Sequence, residues 1–274
     1  MIGWAVPEAD ELASYRYRCM IPMRELSRMG IACAMGKGTI TVCSKHFLPL
    51  EDAAGIKKTS KIVYDISDDH FGGELDEHYR TMIEMADAIT CPTEAMAGRI
   101  LEETGRAAQV VADPYEFERE EPRMPSGTVS NLLWFGHRLN LPGLRAELPR
   151  LGKWNLRVVS NAEGCIPWSL ATMHREFANC DVVVIPVPAQ TEKQVKSPNR
   201  MVESIRQGRF VVANPMPAYA EYGMWQGDLV EGLQWIAEHQ DAALAAVANA
   251  QRVIEAIHSP RCVAEQWKRV FERL

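Results

Sequence analysis

The sequence predicts an α/β protein built from two tandem units, each a parallel sheet covered by helices, and three observations carry that prediction. Short apolar runs alternate with helix-length amphipathic segments from one end of the chain to the other. The alternation breaks once, at residues 113–128 (DPYEFEREEPRMPSGT), where three prolines, a glycine and dense charge replace any period, and it restarts beyond. A length of 274 residues exceeds one average domain and falls short of three.

In the first half the strands read IGWAV from Ile2, IACAM from Ile31, TITVC from Thr39, KIVYD from Lys61, DAITC from Asp87 and QVVAD from Gln109. Helical spacing covers 15–29, 74–86 and 93–104, the first stopping at Gly30, since glycine accepts the left-handed conformation that ends a helix. In the second half VSNLLWF, LRVVS, CDVVVIPV and RFVVAN read as strands, with helices near 141–150, 169–179, 198–207 and 230–257. Ser259 and Pro260 then open a last helix with an apolar stripe of Val263, Trp267, Val270, Phe271 and Leu274. The expected domains are 1–123, 124–258, and a helix over 259–274 that docks its stripe on the first domain.

Composition narrows the function classes. Hydrophobic residues at 47% and charged residues at 24% fit a packed globular chain and exclude a disordered or collagen-like one. Thirty Lys and Arg against 36 Asp and Glu give a net charge of −6, which argues against a surface made for non-specific phosphate binding and leaves a local basic groove open. No run approaches the ~20 apolar residues of a membrane span, and MIGWAVPEADEL lacks the pattern of a secretory signal, so a cytoplasmic protein is expected. The seven cysteines stand singly without a CxxC pair and read as reduced core thiols.

Two motifs mislead. AMGKGTIT lacks the Ser or Thr directly after Lys37 that a phosphate loop needs, and Thr39 opens a strand rather than a helix, so a tight turn between two strands is expected. YDISDDHFGGELDEH collects Asp65, Asp68, Asp69, His70, Glu74, Asp76, Glu77 and His78 without a recognised ligand spacing, and no metal site is expected. Residues 74–78 suit the first turn of a helix, where acids favour the dipole. Asp65, Asp68 and Asp69 follow a strand directly, at the edge where open α/β sheets present ligands.

The segment KSPNRMVESIRQGRFVVANP describes an anion site. Ser197 can cap a helix whose first position is Pro198, leaving backbone amides around Asn199 for a phosphate, with charge from Lys196 and Arg200. Glu203 lies too far inside for the same phosphate and suits the paired hydroxyls of a ribose. The competing reading is a capped surface helix with Glu203 in water.

KSPNRMVESIRQGRFVVANPMPAY resembles the donor-binding helix of GT-B glycosyltransferases, family 4-like enzymes in particular. SYRYRCMIPMRELSRMGI is similar to their first helix, which implies that Arg16 and Arg18, behind the loop after strand one, lie on the acceptor side. KIVYDISDDHF with EMADAITCPTEAM resembles a stretch of their acceptor domain, and LLWFGH, with Gly136 and His137, stands where their donor domain opens. The resemblance implies two Rossmann-like domains facing a cleft with a C-terminal crossover helix. It also implies transfer of a sugar from a nucleoside-diphosphate sugar to a hydroxyl acceptor without a metal cofactor. Saccharides are the expected acceptors, nucleic acid being less favoured by the charge. A sugar-nucleotide epimerase and a catalytically silent nucleotide-sugar-binding module are the alternatives.

The same resemblance implies the site residues. Glu203 holds the ribose, the helix start at Ser197 to Arg200 receives the diphosphate, and Lys196, with Arg16 facing it, offsets the leaving charge. Backbone near Cys165 and Ile166 reads the base beside Trp168, for which core packing is the other reading. On the acceptor side, Asp68 is the expected general base of an inverting reaction, its pKa raised by Asp69, with Asp65 bracing the loop through backbone amides and His70 beside it. In a retaining reaction Asp68 would only orient the acceptor, and in the plainest reading these acids cap the helix that follows. The family pattern is incomplete: no Lys-Gly pair follows His137, with Arg138, Lys196 or Arg200 as the substitutes, and Val195 stands where a first Glu is usual.

Overall fold

A computed structural model describes residues 1–6, 12–45 and 48–274. The chain divides into two units, the first comprising 1–116, 195–197 and 257–274, the second 117–194 and 198–256. The first therefore ends seven residues before the expected boundary at 123, and it takes in Lys196 and Ser197, which the sequence reading assigned to the second.

The first unit runs β1 (Ile2–Ala5), α1 (Ala13–Tyr15), a π-helical stretch Arg16–Met20, α2 (Ile21–Arg28), β2 (Cys33–Met35), β3 (Ile40–Ser44), α3 (Leu50–Lys57), β4 (Lys61–Asp65), α4 (Asp76–Met85), β5 (Ala88–Cys91), α5 (Glu94–Thr104) and β6 (Gln109–Val110). The strands lie in the order β2-β1-β3-β4-β5-β6, all parallel. The second unit runs β7 (Asn131–Phe135), α6 (Leu141–Leu151), β8 (Asn155–Ser160), β9 (Ile166–Pro167), α7 (Leu170–Asn179), β10 (Val182–Ile185), α8 (Thr191–Gln194), α9 (Asn199–Arg206), β11 (Phe210–Ala213), β12 (Trp225–Gln226), α10 (Leu229–Glu238) and most of α11 (Gln240–His258). Its parallel strands lie in the order β12-β11-β10-β7-β8-β9. Central strands covered on both faces read as unbroken apolar runs, as VVVI in β10 and FVVA in β11 do, every residue of both being buried.

The last helix, α12 (Pro260–Phe271), starts at Ser259, whose hydroxyl accepts the amide of Cys262. Val263, Trp267, Val270 and Phe271 share a core with Ile2, Trp4, Leu26 and Val42 of the first unit. Trp4 meets Trp267 edge to face at 6.0 Å and Phe271 at 5.9 Å.

The expected turn at AMGKGTIT is a different object. β2 and β3 do not pair with each other but flank β1 on either side, so residues 36–39 carry the chain back across the strand. A Cβ on Gly3 would lie 2.3 Å from the Gly36 carbonyl oxygen, and one on Gly38 would lie 2.5 Å from the Gly3 nitrogen. The glycines are required by backbone crossing backbone, not by phosphate. The helix expected over 230–257 is also two helices, broken at His239 by a non-helical backbone (φ −132°). The sequence reading missed α3, α8, β9 and β12, all too short to establish a period.

Arg18, expected to face the acceptor, is instead buried in the first unit. Its guanidinium donates to Asp65 through Nη2 at 2.6 Å and Nε at 3.1 Å, to Asp113 at 3.1 Å and to the Val111 carbonyl, and it lies 5.2 Å from the Trp267 ring centroid. Burial alone would lower its pKa, but Asp65 and Asp113 outweigh that and hold it above the usual range. Replacing Arg18 strands two buried carboxylates, so Arg18→Met is expected to lower unfolding free energy by about 3–5 kcal/mol. Urea unfolding checks this, and a loss below about 1 kcal/mol would mean that the pairing carries no weight.

Candidate functional site

Within the first unit, chemistry gathers at the carboxyl ends of β3 and β4. Lys45 follows β3 with φ of +55°, the single non-glycine residue with positive φ among those described. Such a conformation costs of order 1 kcal/mol and tends to persist where a side chain must be aimed. Its ammonium lies 2.5 Å from Asp68 Oδ2, while Lys196 lies 2.8 Å from Asp68 Oδ1. The sequence reading missed Lys45 because nothing in SKHF marks a left-handed residue.

Asp68 and Asp69 are not a dyad. Asp69 pairs with Arg99 at 3.1 Å and accepts the Phe71 amide at 3.0 Å, so each carboxylate has its own cation. Burial pushes the Asp68 carboxyl up, but Lys45 and Lys196 outweigh it and hold it well below the usual carboxylate range. The expected rise from Asp69 is thus reversed in sign. Asp65 does not brace the loop through backbone amides, because its oxygens go to Arg18, to the Thr90 hydroxyl at 2.8 Å and to the Ser44 hydroxyl at 3.4 Å. The reading of these acids as helix caps fails too, since α4 begins at Asp76 without a side-chain cap. Asp76 instead pairs with Arg80 at 2.8 Å.

The loop rests on aromatic rings. Tyr79 contacts His70 at 5.2 Å, Tyr64 at 5.7 Å and Phe71 at 6.1 Å between centroids. The hydroxyls of Tyr64, Tyr79 and Ser67 are buried without a hydrogen-bond partner, an unusual concentration of unspent polar groups beside Asp68. Arg16 is engaged elsewhere, its Nε donating to Glu116 at 2.9 and 3.1 Å.

Within the second unit, the carboxyl ends of β7 and β8 meet the start of α9. The helix begins at Asn199 with Pro198 in the cap position and no side-chain cap, so Ser197 does not cap it as expected. Its hydroxyl is another buried group without a partner. Glu203 is buried, not solvated, and its Oε2 accepts the Phe117 amide at 3.2 Å. The water-exposed reading of that residue is therefore excluded.

Gly136 follows β7, and its amide donates to Val159 of β8 at 3.1 Å. A Cβ there would lie 3.2 Å from the Trp134 ring and 3.5 Å from Arg200 Nη1, so glycine leaves an approach between them. Three polar groups around it lack partners: Trp134 Nε1, Arg200 Nη1 and the hydroxyl of Ser160, the residue after Val159. Two can only donate, so together they suit an acceptor-rich ligand. Trp134 and Ser160 are additions to the sequence reading, where their apolar strands concealed them. His137 and Arg138 are exposed, and His137 Nδ1 accepts the Leu139 amide at 3.4 Å. Ile166 lies in the edge strand β9, paired with Val159, and half-buried Trp168 stands two residues on, outside the core. Among the described residues, no group of three or more His, Cys, Asp or Glu is placed to hold a metal ion.

The Asp68 ion pairs have a pH signature. The folded carboxyl titrates below the unfolded one, so its stabilisation is fully present above about pH 5 and fades as the pH falls through the ordinary carboxylate range. Asp68→Asn should lower denaturant stability by a constant amount from about pH 9 to 5 and by less near pH 3. A deficit that grew on acidification would contradict the assigned charges.

Neither a protein-family model nor a curated protein matches the sequence. Solved structures do match in fold. HepE of Anabaena, solved with UDP and glucose, is 11% identical with a TM-score of 0.66, covering 100% of this chain and 99% of its own. An alpha-glucosyltransferase, solved with UDP-glucose and DNA containing an abasic site, is 10% identical with a TM-score of 0.59, covering 98% and 99%. TarM is 13% identical with a TM-score of 0.61 over 91% of this chain, which spans only 57% of TarM's length. The chain has the two-unit α/β fold of the GT-B glycosyltransferases.

Proposed function

We propose that this protein is a glycosyltransferase that takes a sugar from a nucleoside-diphosphate sugar and delivers it to a hydroxyl acceptor. The observation that carries the reading is the set of unpartnered polar groups around Gly136, at the strand ends where a doubly wound sheet receives its ligand. Arg200 meets the diphosphate beside the helix-start amides of Asn199 and Arg200, and buried Glu203 takes the ribose while holding Phe117. The edge strand at Ile166 and the half-exposed ring of Trp168 suit the base. The fold supports this reading, since HepE and the alpha-glucosyltransferase were solved with UDP or UDP-glucose.

In the first unit, Asp68 fixes the position of the Lys196 ammonium. A carboxylate held by two ammonium groups is ionised but a weak proton acceptor, so Asp68 orients the acceptor rather than serving as the base. His70, in edge contact with Tyr79, completes the acceptor side. A saccharide is the proposed acceptor, consistent with the net charge of −6. Turnover is proposed to need no metal, because Asp65, Asp68, Asp69 and Asp76 each have a cationic partner of their own.

Calorimetry with UDP and UDP-sugars tests the donor site. Arg200→Ala and Glu203→Gln should each weaken binding by about 1.5–3 kcal/mol, the worth of a hydrogen bond to a charged group. Unchanged affinity in both would remove the donor assignment. Transfer to an acceptor should persist in EDTA, whereas acceptor-free interconversion of the sugar nucleotide would indicate an epimerase, and binding without turnover a silent module.

Kinetics test Asp68. An orienting role predicts that Asp68→Asn lowers kcat by less than the ~10²-fold cost of losing a general base and leaves the acid limb of the pH profile in place. A larger loss together with disappearance of that limb would restore the base.

A further inference from the structure

Three sulfur-bearing side chains of the first unit, those of Cys19, Met23 and Met35, converge away from the residues discussed above. Cys19 and Met23 are four apart on the helix spanning the π-helical stretch and α2, and so share one face. Cys33 and Met35 are two apart in β2, and so share one face of that strand. The two faces meet: Cys19 Sγ lies 3.5 Å from Met23 Sδ and 3.8 Å from Met35 Sδ. Cys33 packs against the same core and is hydrogen-bonded to Ser27 of α2, one turn beyond Met23.

We propose that Cys19, Met23 and Met35 form a binding site for a single Cu(I) ion. A metal–sulfur bond of about 2.3 Å at tetrahedral angles sets ligand sulfurs about 3.8 Å apart. The observed spacings of 3.5 and 3.8 Å are close to that edge. The ligand type selects the ion, because thioethers with thiolates favour Cu(I), whereas structural zinc takes thiolates and imidazoles.

Charge favours a monovalent ion as well. Cys19 is almost fully buried, so the charge of an ion bound there has to be matched by its ligands. Binding replaces the Cys19 thiol proton, which leaves to solvent as the Cu–S bond forms, and one thiolate with Cu(I) is neutral. The thioethers donate lone pairs with no change of charge, and the copper keeps its oxidation state. β2 is the edge strand of its sheet and Met35 is 36% exposed, so the ion has a route in from solvent.

Anaerobic titration of the full chain with Cu(I), using bicinchoninate as coloured competitor, tests the site. The wild-type protein should withdraw one equivalent of Cu(I), with X-ray absorption reporting sulfur ligands alone. The near-isosteric M23L/M35L variant, of a kind that cores tolerate, should hold that ion at least about tenfold more weakly, since even outer-shell changes cost 10–100-fold at metal sites. If M23L/M35L misfolds, M35L at the exposed position provides the same comparison. Failure of the wild type to compete, or equal retention by wild type and the thioether variants, would overturn the proposal, the latter by showing that scattered thiols take the metal.

Discussion

The buried guanidinium of Arg18 organises the first unit. It joins the π-helical stretch that supplies it, the end of β4 through Asp65, the chain leaving β6 through Val111 and Asp113, and the C-terminal helix through the Trp267 ring. Each contact is long-range in sequence, 47 positions to Asp65, 93 to Val111 and 95 to Asp113. A group this thoroughly desolvated is tolerable only with its charge matched and its donors used, and two carboxylates with a carbonyl achieve that.

The loop after β4 inherits its position from this pairing. With Asp65 fixed to Arg18 and Thr90, the next acids are directed outward to separate cations, Asp68 to Lys45 and Lys196 and Asp69 to Arg99. Close carboxylates would ordinarily share a proton, but here the cations keep Asp68 ionised. The chemistry open to it is therefore orientation and charge balance rather than proton abstraction. Strain at Lys45 belongs to the same design, because a left-handed residue at the end of β3 is what aims its ammonium.

The second unit shows a complementary economy. Its strands are buried and apolar, yet Trp134, Ser160 and Arg200 keep polar groups without partners around Gly136. Native interiors rarely leave such groups unpaired, and their grouping at the carboxyl ends of strands is the observation on which the proposed donor site rests. Glu203 differs, being buried with a backbone amide from the linker on its carboxylate, so it has a structural duty beside any ligand.

The sequence by itself determined the alternating α/β architecture and the last helix with its apolar stripe. These are periodic or locally chemical signals, and a strand buried on both faces or a Ser-Pro helix start declares itself within a few residues. Only the tertiary structure decided which charges meet. Arg18 and Asp65 are 47 positions apart, and Lys196 and Asp68 are 128 apart. No local pattern states that the first arginine is interior or that the second pair reverses the expected pKa. It likewise decided that the glycines of AMGKG serve a crossing over Gly3, because strand order, unlike strand existence, is set by which faces pack once the whole sheet assembles.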